Sequence, residues 1–278
     1  TRKRVRNMGL FDKKYCDICG EKIGLLGNRK LEDGNLCKNC SKKLSPWFSD
    51  RKNSTVQEIK EQLAYREENK KRVAEFHITR SYGEDVKLLI DKDHKTFMVT
   101  GASDLMAANP DVVDLADLTG CSLKVDESRE ELLREGADGK EVSYVPPRYE
   151  YSFDFYIILN VNHKYFNEMR FRLNENSLCL EYDSANGFGS SVTTKVANVG
   201  LVDKKDPSIN LEYRRYLKMG ESVVQLLTDI IDGKDIDTPT VEEKTETPVA
   251  TAPTSWKCSA CGGENTGNFC EYCGTPRP

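Results

Sequence analysis

The sequence predicts an α+β protein of several domains, with a small cysteine-rich module at each end of a larger domain. The end modules are predicted by Cys-x-x-Cys pairs, which occur twice near the amino end and twice near the carboxyl end. The larger domain, residues 77–232, is predicted by strand-like segments up to residue 182 and by a helical apolar pattern over residues 209–231. The 278 residues are enough for one sizeable domain and two such modules.

The overall charge and hydropathy argue against two classes of protein. The 41 Lys and Arg residues against 45 Asp and Glu give a net charge of −4, which does not favour a nucleic-acid binder. No apolar run approaches the roughly 18 residues of a membrane span. Cys-x-x-Cys pairs without a secretory hydrophobic segment indicate a reducing compartment, so we expect a cytoplasmic protein.

The amino-terminal module, residues 8–49, contains the first set of four cysteines. Its predicted metal ligands are Cys16, Cys19, Cys37 and Cys40. Two Cys-x-x-Cys turns that bring four thiolates to one ion suit tetrahedral Zn²⁺, and four protein sulfurs leave no open position for water. Iron–sulfur ligation and a redox site are the alternatives, but a redox pair needs a βαβ setting that the flanking sequence does not predict. We therefore predict a structural zinc site.

The carboxyl-terminal module, residues 255–278, shows the same pattern in a shorter span. Its predicted ligands are Cys258, Cys261, Cys270 and Cys273. A segment this short needs a metal to fold, so we predict a second structural zinc ion. Residues 233–254, which precede it, are rich in Thr, Pro, Glu and Val and poor in large apolar groups, so we predict a disordered linker.

Residues 50–76 are predicted to form a connector helix. Thr55 and Glu58 fit a capping box, and apolar residues then recur at helical spacing. The charged stretch over residues 66–72 has two interpretations, a binding face or a solvated face with charge pairs. We favour the solvated face.

The middle region, residues 77–232, is predicted to be one domain of about seven strands and a final helix. A hairpin is predicted over residues 86–99, and further strands over residues 111–115, 121–126, 151–161, 169–173 and 178–182. A helix is predicted over residues 209–231. Its apolar stripe is Leu217, Val224, Leu227 and Ile231. The pattern is typical of a small antiparallel barrel or sandwich with a capping helix.

Two local features of this region give more specific expectations. Pro146 and Pro147 are expected to form an extended approach to the long strand. A group of carboxylates is expected to begin an exposed helix, where negative charge complements the helix dipole. These residues are Asp126, Glu127, Glu130 and Glu131.

Several stretches together resemble a bacterial family, domain of unknown function 4428. They are residues 8–20, 58–69, 109–114 and 126–132, and the resemblance extends from Met8 to about Asn174. It implies that the amino-terminal cysteines are the ligands of a zinc ribbon. The middle region is similar in layout to pleckstrin-homology-like (PH-like) barrels, and the carboxyl-terminal cysteines resemble stand-alone zinc ribbons. The resemblance implies a fold but no activity.

The residue types that perform catalysis are sparse. His77, His94 and His163 are scattered along the chain, and surface or structural roles are expected for each. Cys121 and Cys179 have apolar, strand-like neighbours and are expected to be buried small side chains. Asp91 and Asp93 flank a predicted turn, where Asp is favoured by its own backbone hydrogen bonds. We predict no catalytic residue, no organic cofactor and no enzymatic activity.

Three functions remain, of which we favour a zinc-binding adaptor that docks another protein. The first alternative is a nucleic-acid-binding zinc ribbon, suggested by lysines and aromatic residues beside the second Cys-x-x-Cys pair. These are Lys38, Lys42, Lys43, Trp47 and Phe48. The second alternative is a peripheral membrane or lipid-binding protein, although the hairpin over residues 85–100 is not rich in lysine.

Overall fold

The computed structural model describes residues 13–188 and 206–234, and also two short strands at 256–257 and 264–265. The chain divides into two units, with the boundary between Ile236 and Asp237. In the second unit the described part is an antiparallel pair of strands, Trp256–Lys257 and Glu264–Asn265. The four carboxyl-terminal cysteines and nearly all of the predicted linker lie outside the described residues.

The amino-terminal module consists of two small hairpins and one turn of helix. Strands β1 (Lys14–Tyr15) and β2 (Lys22–Ile23) form the first hairpin, and β3 (Arg29–Lys30) and β4 (Asn35–Leu36) form the second. Helix α1 (Lys38–Ser41) follows. Strands of two residues bury little, and the module's core is correspondingly small. Its buried members are Cys16, Ile23, Leu31, Leu36, Cys37, Cys40, Leu44 and Ile59.

The connector helix is confirmed as α2 (Val56–Glu75), preceded by a 3-10 turn at Arg51–Asn53. The predicted capping box is present. The Thr55 hydroxyl accepts from the Glu58 N–H at 3.2 Å, and the Glu58 carboxylate accepts from the Thr55 N–H at 2.7 Å. The helix therefore begins where two otherwise unpaired N–H groups are satisfied, and not at residue 50.

The first sheet of the middle domain is antiparallel, and its strands follow one another in chain order. They are β5 (Arg80–Tyr82), β6 (Lys87–Asp91), β7 (Thr96–Thr100) and β8 (Val113–Asp114). The β6–β7 hairpin is the one that the sequence predicts. Between β7 and β8 lies a single helical turn, α3 (Leu105–Ala108), and a 3-10 turn at Leu115–Asp117 follows β8. The strand predicted over residues 111–115 is thus reduced to two residues.

The second sheet is organised around one long strand. Its strands are β9 (Leu118–Glu135), β10 (Glu141–Val161), β11 (Glu168–Arg172), β12 (Leu178–Asp183) and β13 (Gly187–Phe188). Strand β10 pairs with β9 along one edge, and with β12 and then β11 along its other edge. Residues 187 and 188 form β13, and residues 189 to 205 lie outside the described part.

The prediction that four carboxylates begin a helix is wrong, because Asp126, Glu127, Glu130 and Glu131 all lie in β9. Each is paired in register with a residue of β10. Asp126 also contacts the Arg170 guanidinium of β11 at 2.6 Å. The next strand, β10, supplies backbone hydrogen bonds from residues 18 to 28 positions further along the chain, and this pairing overrides the local preference for a helix.

The two prolines also differ from their expected role. Pro146 and Pro147 lie inside β10, and the pairing of β10 with β9 shifts register between Ser143 and Arg148. Proline cannot donate a backbone hydrogen bond, so an irregularity in the ladder accommodates both residues. The long strand therefore begins before the prolines.

The final helix is confirmed as α4 (Leu211–Ile231), but the predicted buried stripe is wrong in phase. Ile231 is exposed, and Leu217 and Val224 are only partly buried. The face turned to the domain contains Tyr216, Gly220, Val223, Leu226 and Leu227, of which the last belongs to the predicted stripe. A Cβ at Gly220 would lie 2.5 Å from the Leu123 side chain, so this glycine lets α4 approach β9 closely.

One apolar core joins both sheets and α4. It includes Leu88 and Phe97 of the first sheet, Phe155 and Ile157 of the second, and Val223 of the helix. The structure is thus mixed α/β, with small antiparallel sheets and few helices among the described residues.

Candidate metal centre

Four cysteine sulfurs lie together in the amino-terminal module. They belong to Cys16, Cys19, Cys37 and Cys40, and all lie within 4.8 Å of one another. The Cys19 and Cys37 sulfurs are 3.7 Å apart. A tetrahedral zinc ion with Zn–S bonds of about 2.3 Å requires sulfur separations of about 3.8 Å. The cluster therefore has the dimensions of a zinc site, and the predicted amino-terminal ligands are brought together.

Short local motifs place these sulfurs. Cys16 follows β1, and the chain reverses at Gly20, whose N–H donates to the Cys16 carbonyl at 2.8 Å. Gly20 has a φ of 74°, in the left-handed region where a side chain would be strained. Cys37 caps helix α1, and Cys40 lies within it. Each pair of thiols is thus positioned by one tight turn.

Backbone N–H groups point at two of the sulfurs. The Cys37 N–H donates to the Cys16 sulfur at 3.3 Å, and the Cys40 N–H donates to the Cys37 sulfur at 3.3 Å. Burial raises the pKa of the Cys16 thiol, but N–H groups of Cys19, Cys37 and Ile18 outweigh it and lower this pKa to about 7. These dipoles therefore stabilise a thiolate at Cys16.

The Cys40 thiol shows the opposite behaviour. Burial raises its pKa, and contacts with the other three thiols raise it further. Crowding of thiols opposes ionisation, because each added negative charge would repel the next. A divalent cation at the centre reverses the balance, because coordination deprotonates thiols. The cluster therefore favours a cation over free thiolates.

The remaining cysteines of the described part do not join the cluster. Cys121, which is expected to be buried, is partly buried against the core, and this burial raises its pKa to about 12. The expectation that Cys179 is buried is wrong, because it is exposed on β12. Side chains of that strand alternate between the core and the outer face, and Cys179 falls on the outer face. The predicted ligands Cys258, Cys261, Cys270 and Cys273 lie outside the described residues.

The predicted stacking platform beside the cluster is only partly accessible. Trp47 packs against the core of the middle domain, and Phe48 packs against the module's core and edge-on to Tyr165, with ring centroids 6.3 Å apart. The side chains of Lys38, Lys42 and Lys43 are exposed. The aromatic rings are therefore engaged within the protein, while the lysines lie near the sulfurs in sequence, where their charge offsets that of the thiolates.

A buried carboxylate fastens the module and α2 to the middle domain. Asp111, with 0% exposure, accepts from the Ser45 hydroxyl at 2.8 Å, the Tyr65 hydroxyl at 3.2 Å and the Arg66 guanidinium at 2.8 Å. Arg66 also donates to the Asn109 carbonyl. Three donors from two parts of the chain thus satisfy one buried charge.

Two asparagines extend this network. Asn69 donates to the Asn109 side chain at 2.8 Å and to the Pro110 carbonyl at 2.7 Å, and it accepts from the Val112 N–H at 2.9 Å. Asn109 donates back to the Arg66 carbonyl at 2.8 Å. We refer to Ser45, Tyr65, Arg66, Asn69, Asn109 and Asp111 as the polar joint. The residues that flank its members in sequence give no sign of this pairing.

The interpretation of residues 66–72 as a solvated face is therefore wrong for Arg66 and Asn69, which are buried. It holds for the opposite face of α2, where Lys70 pairs with Glu67 at 2.7 Å in an exposed position. The buried residues lie three positions apart, which places them on one side of the helix. That side binds the chain's own segment from residue 109 to residue 112.

The fold places His77 and His94 next to each other beside Asp91, and His163 elsewhere. Asp91, buried in the first sheet, accepts from the N–H groups of His77, Asp93 and His94, and its carboxylate contacts the His94 ring at 2.8 Å. Burial opposes ionisation of Asp91, but these N–H bonds and the His94 ring lower its pKa to about 2. His163 stacks on Phe166, with ring centroids 4.0 Å apart. The expected turn role of Asp91 is confirmed by its bonds to the turn.

The fold and the site together define a class of protein: a small four-cysteine module of zinc-site dimensions, joined to a mixed α/β domain. Residues 14–62 match a family model described as Domain of unknown function (DUF4428). The match includes the sulfur cluster and the first part of α2, so it confirms the resemblance for that part of the chain. Comparisons with curated proteins and with solved structures found no match. No helix in the described ranges is long and apolar enough to cross a bilayer.

Proposed function

We propose that the protein is a non-enzymatic, zinc-binding adaptor that docks another protein. The observation that carries this proposal is the cluster of four cysteine sulfurs, all within 4.8 Å of one another. Zinc held by four protein sulfurs has no open position for a substrate, so its role is structural. In this site Cys16, Cys19, Cys37 and Cys40 hold the ion, which stabilises the module by about 10–16 kcal/mol.

The architecture around the cluster supports an adaptor. The polar joint fixes the module against the middle domain, through the bond of 2.8 Å from Ser45 to Asp111. Two antiparallel sheets and a final helix share one core, which supports the proposal of a PH-like middle domain. Rigid scaffolds of this kind position surfaces for partners without needing a reactive group.

The proposal includes a second structural zinc site, held by Cys258, Cys261, Cys270 and Cys273, and a cytoplasmic location. Its support is the sequence spacing, with two Cys-x-x-Cys pairs separated by eight residues. The composition of residues 233–254 predicts a linker, which would raise the effective concentration of this module at a second contact on the same partner.

The nucleic-acid-binding alternative has weaker support. Single-stranded nucleic acids bind to exposed aromatic rings flanked by cations. Trp47 and Phe48 pack against the two apolar cores, so they do not provide an open stacking surface.

Affinity purification of the full chain tests the adaptor proposal. The variant Cys258→Ser with Cys261→Ser removes two predicted ligands of the second site, and we expect it to lose specific protein partners and one zinc ion per chain. The matched control is Cys179→Ser, which changes an exposed cysteine outside both sets. Zinc is measured on each preparation by elemental analysis.

An unchanged list of partners in the double variant contradicts the adaptor role of the carboxyl-terminal module. Fewer than two zinc ions in the unaltered chain contradicts the two-site assignment, whatever the partners are. Release of partners by nuclease treatment favours the nucleic-acid alternative instead.

A further inference from the structure

The amino-terminal module carries an exposed apolar turn. Leu25 and Leu26 lie between β2 and β3, and each is 89% exposed. A hydrogen bond of 3.0 Å from the Gly27 N–H to the Gly24 carbonyl closes the turn. Neither leucine belongs to the core of the module, so the pair buries almost no apolar area within it. Two adjacent, exposed leucines on such a small module indicate that this turn contacts another molecule or a membrane.

Cationic side chains surround the chain that leaves this turn. A hollow of about 590 Å³ is lined by Asn28, Arg29, Lys30, Leu31, Glu32, Arg51 and Lys52. The Arg29 guanidinium donates to the Leu26 carbonyl at 3.4 Å, and Arg51 donates to the Lys30 carbonyl at 2.6 Å. These contacts are to uncharged backbone carbonyls, so the hollow keeps four positive charges against the single negative charge of Glu32. The leucine turn adjoins the hollow, because the lining begins at Asn28 and its Arg29 guanidinium contacts the Leu26 carbonyl.

The distribution of charge along the chain also makes the amino-terminal module positive. Residues 13–55 contain ten Lys and Arg against five Asp and Glu, whereas the full chain has a net charge of −4. The −2 charge of a four-thiolate zinc site leaves the module positive. A positive module on a negative protein is attracted to an anionic surface in one orientation.

We propose that the leucine turn and the cationic hollow dock on an anionic lipid bilayer. The leucines insert among the acyl chains next to the headgroups, and the hollow faces lipid phosphates. A bilayer offers both an apolar layer and a dense negative surface, and nucleic acid would leave the leucines in water. This surface lies outside the middle domain. The inference rests on the proposed zinc site only in that the metal holds the hairpins that present the turn.

Co-sedimentation of the zinc-loaded full chain with vesicles tests this inference. We expect binding to vesicles of phosphatidylcholine and phosphatidylserine, and much weaker binding to phosphatidylcholine alone. The variant Leu25→Ser with Leu26→Ser should bind at least about tenfold more weakly. The variant Lys30→Gln with Lys52→Gln should also lose about tenfold, and added salt should reduce its remaining binding less than that of the unaltered chain.

The matched control is Leu211→Ser, which removes a leucine that is 73% exposed at the start of α4. It should bind as the unaltered chain does. Zinc content is measured on each variant, so that loss of the metal, which concerns the proposed zinc site, is distinguished from loss of lipid binding. A second variant, Leu26→Trp, should show added fluorescence quenching by brominated lipid acyl chains.

Four results would overturn the inference. The first three are no binding of the zinc-loaded chain to anionic vesicles, equal binding when both leucines are replaced, and no added quenching of Leu26→Trp. Preferential binding to an oligonucleotide that displaces the chain from vesicles would also overturn it, and would assign the cationic hollow to nucleic acid.

Discussion

The amino-terminal module and the middle domain are stabilised in different ways. The buried core of the module has eight residues, of which three are cysteines. The main core of the middle domain has twenty-one buried residues among those described, and cysteine is not one of them. Its strands reach 21 residues in β10, whereas those of the module have two.

This difference shows when a metal is required for folding. Apolar burial stabilises by about 25 cal/mol per Å², and the module has too few buried side chains to offset the conformational entropy of its loops. Coordination of one ion by the four cysteines, as proposed, would supply the missing free energy. The middle domain needs no such contribution, so the two regions should respond differently to loss of the metal.

The largest expected effect is that of Cys40→Ser, which removes a buried ligand. The module should lose zinc and unfold, because the metal contributes about 10–16 kcal/mol to its folding. Hydrogen exchange should show loss of amide protection over residues 14–44, while the amides of β9 and β10 remain protected. A strong chelator should have the same effect on the unaltered chain.

The control for this change is Cys121→Ser, in the middle domain, which should retain the zinc of the module. Equal loss of protection in both regions on metal removal would contradict the contrast between them. Retention of the module's protection without metal would contradict the structural role of zinc.

The next largest effect is expected at the polar joint, which connects the two regions. Asp111→Ala removes the acceptor of three hydrogen bonds and leaves the buried Arg66 charge uncompensated, so it should destabilise by about 3–5 kcal/mol. The measurement is chemical denaturation. Asp114→Ala is the matched control: its pair with Arg72 is exposed, and its loss should change stability by less than about 1 kcal/mol. Equal effects of the two changes would show that the joint is not a stabilising element.

A smaller effect is expected at the start of α2. Thr55→Ala removes the hydroxyl that accepts from the Glu58 N–H, and it should destabilise by about 1 kcal/mol. Gln57→Ala, in the same exposed first turn, should change stability by no more than about 0.5 kcal/mol. Thermal unfolding of both variants measures the two losses of stability. Equal losses would show that the cap does not stabilise the helix.

The smallest effect is a pH dependence at His94. The Asp91 carboxylate raises the pKa of the exposed His94 ring, and Asp93 and Glu75 act in the same direction. Stability from a raised histidine pKa is present below the ordinary value of about 6.5 and is lost as pH rises through the folded value. His94→Gln should therefore be destabilising at about pH 5.5 to 6 and nearly neutral at about pH 8. An NMR titration that places the His94 pKa at or below its ordinary value would contradict this.

Local patterns in the sequence predict the features that depend on neighbouring residues. The paired cysteines predict the amino-terminal sulfur cluster because each turn places two sulfurs, and the Thr55–Glu58 box identifies the start of α2. The β6–β7 hairpin depends on a short turn, and the sequence predicts it for that reason. In each case the interacting residues are close in sequence.

The features that sequence reasoning misses depend on partners distant in the chain. Arg66 and Asn69 form the polar joint with residues 40 or more positions away, and no local pattern indicates that pairing. Asp126 and its acidic neighbours lie in a strand because β10 pairs with them across 18 to 28 residues, which is beyond the reach of a local helix pattern. The apolar pattern does not predict which face of α4 is buried, because Gly220, which has no side chain, lies where the helix approaches β9 closely.

The bond between Ser45 and Asp111 has a mechanical consequence. Since one enclosed carboxylate ties the module, α2 and the segment after α3 together, the module does not pivot freely about the rest of the unit. Binding of the leucine turn to a surface would therefore also fix the orientation of the two sheets relative to that surface.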